Sequence, residues 1–167
     1  MITSTSSSQV KHVVNLQKKA KLRKEEKQFV VEGVKMVSEA PADRLVKVYV
    51  SETFKADNEE FLERMNYDSI GKDVLEIVTD NVFMRMADTQ TPQGIMAVVR
   101  MSDTDLEGIL SDKRNPLLLI IENLQDPGNL GTIVRMAEGA GVTGIIMSSN
   151  TVDIYNPKTI RSTMGSL

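Results

Sequence analysis

The 167-residue chain has no cysteine and a single histidine. Disulfides and thiolate metal sites are therefore excluded, and His12 alone cannot assemble a zinc cluster. No segment approaches the roughly 18 uninterrupted apolar residues of a membrane-spanning helix. The opening Met1-Ile-Thr-Ser-Thr-Ser-Ser-Ser8 lacks the apolar core of a signal peptide. A cytoplasmic protein without membrane or metal is the expectation. Beyond the serine-rich start there is neither low-complexity sequence nor an internal repeat.

What is present is enough apolar material, 41% of residues, for one good-sized core or two small ones. Charge is unevenly spread over a formal net of −3. Lys11, Lys18, Lys19, Lys21, Arg23, Lys24 and Lys27 face only Glu25 and Glu26 in the opening stretch, a local +5 that leaves −8 for the remainder. A basic face on an acidic protein suits a polyanion, because local potential rather than overall pI steers the encounter. A merely solvated helix face is the other reading. Val10, Val13 and Val14 recur at helical spacing over Ser8–Lys19, with Lys11, His12, Asn15, Lys18 and Lys19 opposite. That arrangement places His12 among exposed cations, either touching RNA or passive.

Strand and helix patterns then alternate. Phe29–Glu32 reads as a strand, a helix follows Gly33 and ends near Pro41, and Leu45–Val50 is a second strand. An acidic helix over Asn58–Met65 buries Phe61, Leu62 and Met65, and Val74–Val78 forms a third strand. Asn81–Ala87 is a short helix, and the turn Thr91-Pro-Gln-Gly94 leads into the strand Ile95–Val99. Met84, Met86 and Met96 are expected to fill core gaps. The alternation specifies an α/β layer structure over residues 1–101. Residues 102–115, with Asp103, Asp105, Glu107, Asp112, Lys113 and Arg114, read as a linker with one helical turn. A second domain, 116–167, opens at Pro116 with Leu117–Ile121, an apolar run short enough to be a strand buried on both faces.

Between that strand and a helix over Leu130–Ala140 lies Glu122–Asn129, a βα connection of the kind at which open parallel sheets bind ligands. Leu130, Ile133, Val134 and Ala137 form the packing face. Arg135 projects away, with Gly128, Gly131, Thr132 and Gly139 around it on the helical wheel. A guanidinium among small residues invites close approach by a phosphate backbone or by a partner helix. The alternative is a solvated arginine whose glycines serve packing. Gly128-Asn-Leu-Gly131 is not GxGxxG, and no Gly-Lys-Ser/Thr follows, so the common NAD and ATP fingerprints fail. Gly144–Met147 is a further strand; Asn156 then caps a helix with Pro157 at its first position. Lys158 and Arg161 share a face of that helix, as an anion-binding edge or as ordinary solvation.

Asn123-Leu-Gln-Asp-Pro-Gly-Asn-Leu-Gly-Thr-Ile-Val-Arg135-Met-Ala137 closely resembles the first signature motif of the SpoU (TrmH-like) RNA ribose 2′-O-methyltransferases of the SPOUT superfamily. Val152-Asp-Ile-Tyr-Asn-Pro-Lys158 and Arg161-Ser-Thr-Met-Gly165 look like the segment that follows it in the rRNA-modifying branch. Ser4-Thr-Ser6, Val10-Lys-His12, Leu16-Gln-Lys-Lys19, Phe29-Val-Val-Glu-Gly33 and Thr91-Pro-Gln-Gly94 resemble the family's substrate-binding domain. The resemblance implies a ribosomal-protein-like α/β/α domain that binds RNA, followed by the first part of a trefoil-knot, Rossmann-like methyltransferase domain. It also implies S-adenosylmethionine as donor, ribosomal RNA as substrate and a homodimer. By motif match Asn129 and Arg135 belong to the catalytic centre. Lys11, His12, Lys18, Lys19, Arg23, Lys158 and Arg161 are the expected RNA contacts. The family's second and third motifs would follow Leu167, so the expectation is a truncated chain with no donor-binding residues, inactive alone. A non-catalytic RNA-binding module and a plain α/β domain are the competing classes.

Overall fold

The computed structural model describes residues 1–65, 74–103, 105–111 and 115–166; the expected linker residues Asp112, Lys113 and Arg114 lie outside them. The chain forms two compact units, Met1–Met101 and Ser102–Leu167.

In the first unit α1 (Ser8–Lys18) and α2 (Ala20–Glu26) precede β1 (Gln28–Glu32) and α3 (Val34–Glu39). Then come β2 (Leu45–Ser51), α4 (Glu52–Asp57), α5 (Glu59–Met65), β3 (Leu75–Val78), α6 (Asp80–Met86) and β4 (Ile95–Arg100). The sheet order is β1-β4-β2-β3, with β4 antiparallel to both neighbours and β2 parallel to β3. Three strands therefore run the same way and finish at the same end. Period-two alternation sends Val30, Tyr49, Met96 and Val98 to one face, where they pack with Val10, Val13 and Leu16 of α1 and with Val82, Phe83 and Met86 of α6. The alternate set Val31, Val48, Val50, Ala97 and Val99 is buried too, so both faces of this sheet are covered. Tyr49 donates its hydroxyl to Gln9 Oε1 at 3.1 Å. Burial, and secondarily the Glu76 carboxylate, push its phenol up to about 12.

Several expectations are corrected here. The basic tract is a helix of its own, α2, and Leu16 joins Val10 and Val13 of α1 in the core, while Val14 is half-buried. The acidic helix stands as expected in α5, but a helix that the sequence pattern had not assigned, α4, precedes it, started by Ser51 accepting from Phe54 N. Met86 and Met96 fill the core, but Met84 is 55% exposed, since α6 turns only Val82, Phe83 and Met86 inward.

Arg23 is the largest reversal. It is buried, and its Nη1 donates to the carbonyls of Leu16 at 2.6 Å and Gln17 at 2.9 Å. Those carbonyls belong to the last turn of α1, where four acceptors have no partner within the helix and a cation is favoured. Arg23 thus joins α1 to α2 instead of offering its guanidinium to RNA. Arg23→Met is expected to lower the unfolding free energy by about 2 kcal/mol, because charge-assisted bonds are lost and buried acceptors are left unpaired. Urea denaturation measures it, and an unchanged midpoint would remove the structural role.

The second unit holds α7 (Leu106–Leu110), β5 (Leu118–Ile121), α8 (Pro127–Gly139), β6 (Gly144–Met147) and α9 (Pro157–Thr163). β5 and β6 pair in parallel, with Ile120 opposite Ile146. Ile121, Leu130 and Val134 form the core, extended by Leu119, Ile133, Ile145 and Met147. Contrary to expectation β5 is not buried on both faces: Ile120 is 73% exposed. α8 covers one face only, and on the other face Ile109 of α7 lies over Gly144 but the described residues leave Ile120 bare.

Candidate active site

The βα connection of the second unit is built by local rules. Asp126 caps α8, its Oδ1 accepting from Asn129 N at 2.6 Å, and Pro127 occupies the first helical position, where a missing N–H costs nothing. The helix therefore starts three residues before Leu130, the expected start, and the Asp-Pro pair was the signal available for it. The preceding loop is tied to the stretch after β6. Asn123, in a left-handed conformation at φ 54°, donates its N–H to Ser148 Oγ at 3.0 Å. Leu124 O accepts from Val152 N at 2.8 Å, and Gln125 Nε2 donates to Asn150 O. Gln125, Asp126 and Ser148 hold the site in shape, and they were not among the expected site residues.

Asn129 and Arg135 are both exposed on α8. Six residues separate them, so they stand about 9 Å apart along the axis and on different sides of the helix. The small-residue surface around Arg135 is narrower than the helical wheel implied, because Gly131 is buried under α9. A Cβ placed there would lie 2.4 Å from Ser162 Cβ and 2.7 Å from Thr159 O. Gly131 serves helix packing, while Thr132 and Gly139 stay exposed. Arg135, one turn beyond Gly131 on the same side, lies at the margin of that helix contact. Asn156 caps α9 through Lys158 N at 2.9 Å. Lys158 is exposed and Arg161 half-buried.

The other expected RNA contacts belong to the first unit. Lys11, Lys18 and Lys19 are exposed, and half-exposed His12 meets Glu26 at 2.6 Å. That pairing ties α1 to α2 and occupies one ring nitrogen. Among the described residues no group of carboxylates and histidine could hold a metal ion, and no helix is long and apolar enough to cross a membrane.

Residues 116–167 match the SpoU rRNA Methylase family model, and residues 7–97 match the MRM3-like substrate binding domain. The chain belongs to the MRM3-like substrate binding domain family through residues 7–97, and its segment 116–167 to the SpoU rRNA Methylase family. This chain thus pairs a substrate-binding unit with a SpoU methylase segment. It is 32% identical over 163 residues to the mitochondrial rRNA methyltransferase 3 of Homo sapiens, which covers 92% of this chain and 36% of the human protein. It is 34% identical over 174 residues to an uncharacterized tRNA/rRNA methyltransferase of Synechocystis, covering 99% of this chain and 58% of that one. Among solved structures, an AdoMet-bound rRNA methyltransferase from Sinorhizobium meliloti superposes with a TM-score of 0.81 at 27% identity, over 99% of this chain and 60% of that one. The SpoU-family chain thus spans between about a third and three-fifths of these relatives.

Proposed function

We propose that this chain contributes the RNA-recognising unit and the acceptor side of the active site to S-adenosylmethionine-dependent ribose 2′-O-methylation of RNA, with 23S ribosomal RNA as substrate. The observation that carries the reading is Arg135, exposed on a helix fixed at its start by Asp126, within the segment matching the SpoU model. A guanidinium stays protonated in proteins, so Arg135 cannot take the ribose proton, which passes to solvent water as the 2′ oxygen gains the methyl group. It grips the phosphate beside the target ribose through its planar fork and stabilises charge developing on the 2′ oxygen. Asn129, with an amide that both donates and accepts, orients the target nucleotide. S-adenosylmethionine supplies the methyl group. The described residues suit the RNA side of that reaction, and none is assigned to the donor.

Lys11, Lys18 and Lys19 on the first unit, and Lys158 and Arg161 on the second, supply phosphate contacts. A cytoplasmic homodimer is the working assembly under this proposal.

The test is methyl transfer by a protein carrying this chain together with the further segment present in the Sinorhizobium structure. Labelled methyl is expected to enter 23S rRNA and to make one phosphodiester resistant to alkali, since a methylated 2′ oxygen cannot attack the neighbouring phosphate. Label incorporated into a base, with every linkage still alkali-labile, would defeat the proposal.

A further inference from the structure

The carboxyl ends of β1, β2 and β3 converge at Glu32, Ser51 and Val78, beside the start of β4 at Ile95. Crevices at such strand ends are where open α/β sheets bind ligands. Here a crevice of about 330 Å³ is lined by Thr53, Asp57, Asp80, Met84, Pro92 and Gln93, among others. A second recess of about 240 Å³ adjoins it through Gln93.

The walls are held firmly. Asp80 accepts from Thr53 Oγ1 at 2.6 Å and from Thr53 N at 3.3 Å, and these bonds, the hydroxyl first, hold its carboxyl below the usual carboxylate range. Gly94, at φ +87°, lets β4 pass where a Cβ would sit 2.7 Å from Phe54 Cβ. Gln93 Oε1 accepts from Val34 N at 2.8 Å, which leaves the amide nitrogen as a donor to whatever enters. Asp57 has no hydrogen-bond or ion-pair partner among the described residues, so its carboxylate is an available acceptor. Met84, exposed where core burial was expected, and Pro92 present apolar surface suited to a flat ring.

This lining disfavours phosphate, because among the described residues it offers two carboxylates and no cation. It suits a flat group with apolar faces and an edge that both donates and accepts. Single-stranded RNA is read this way, with a splayed base packed between side chains and bonded along its edge. Among the bases, guanine presents adjacent N1–H and N2–H donors to a carboxylate, and its O6 accepts from an amide. We propose that the strand-end crevice of the first unit receives one unpaired guanine of the RNA, read by Asp57 and Gln93 and packed on Met84, while the exposed lysines of α1 hold phosphates outside it. The inference rests on the reading that this protein acts on RNA, and adds the place and the base that it recognises.

The 167-residue chain is titrated with the single-stranded oligoribonucleotides UUGUU, UUAUU and UUUUU, with affinity read by fluorescence anisotropy and location by NMR. UUGUU is expected to bind about tenfold more tightly than either other oligomer, the scale of a good two-point base contact. Its resonance shifts are expected at the Met84 methyl, the Gln93 side-chain amide and Thr53. Asp57→Asn, at an exposed position, should abolish the preference, so that UUGUU and UUUUU bind this variant equally, whereas Lys18→Ala should weaken all three alike. Equal affinities, failure of all three to bind, a preference surviving Asp57→Asn, or guanine-dependent shifts confined to other residues would overturn the assignment. RNA binding without guanine preference defeats this inference alone, while absence of methyl transfer in the longer protein defeats only the activity on which it rests.

Discussion

Replacing Gly131 with alanine is expected to destabilise the second unit by about 3 kcal/mol, while the same change at Gly139, eight residues along the same helix, leaves it slightly more stable. Both glycines lie in α8. An added Cβ at Gly131 would meet Ser162 Cβ at 2.4 Å, Thr159 O at 2.7 Å and the Ser162 carbonyl carbon at 2.9 Å. Two of these are backbone atoms of α9, so no side-chain rotation relieves the clash and the helices must separate. Overpacking of this kind costs about 1–3 kcal/mol, and an immovable neighbour places it at the upper end. At Gly139 a Cβ meets nothing within 4 Å. Alanine there gains about 0.5–1 kcal/mol from helix propensity and a less flexible unfolded chain. Native-state hydrogen exchange of the α8 amides separates the two units and reports the difference. Equal protection in both variants would mean that α8 and α9 do not pack through Gly131.

Arg135→Lys is expected to reduce methyl transfer about 10²–10³-fold in the protein that performs it, with no change in thermal stability. The magnitude is that of removing one preorganised donor from a site of developing negative charge. Lysine keeps the charge but loses the planar, two-pronged donor geometry. Stability should not move, because Arg135 is exposed and lysine and arginine have similar helix propensity. Measuring turnover and melting temperature on the same preparations decides the matter. Near-normal turnover would show that a point charge suffices and that the fork has no part in the reaction.

The two glycines explain why one part of the site was legible in sequence and another was not. That Leu130, Ile133, Val134 and Ala137 face inward and Arg135 outward follows from the 3.6-residue period, a property of the chain alone. Whether a glycine beside Arg135 is open or covered depends on α9, a neighbour the period does not report. The same division separates Lys18 from Arg23. Both stand in a basic stretch, yet the tertiary turn between α1 and α2 brings Arg23 over unpaired carbonyls and leaves Lys18 exposed.

The strand-end crevice shows the limit more plainly. Glu32-Gly33 and Thr91-Pro-Gln-Gly94 are nearly sixty residues apart in sequence. Antiparallel pairing of β1 with β4, in the register Glu32 opposite Met96, brings them to one end of the sheet. There Gln93 bonds Val34 N, and Asp80 bonds the first turn of α4 from another strand end. Period and turn chemistry specified each strand and each glycine turn, because those are short-range steric properties. Strand order, and with it which turns share a crevice, was settled by the packing of both sheet faces, a long-range property of the folded unit.

By itself, the sequence determined the alternating α/β elements, the inward face of the site helix, the motif that carries family membership, and the exclusion of disulfide and thiolate-metal chemistry. Only the tertiary structure decided that Arg23 is internal, that Gly131 belongs to a helix contact and that Met84 lines a crevice. It also decided that Ile120 stays bare among the described residues. The physical reason is that periodicity records which side of an element is apolar, whereas exposure depends on what lies against that side, and that neighbour comes from a distant part of the chain.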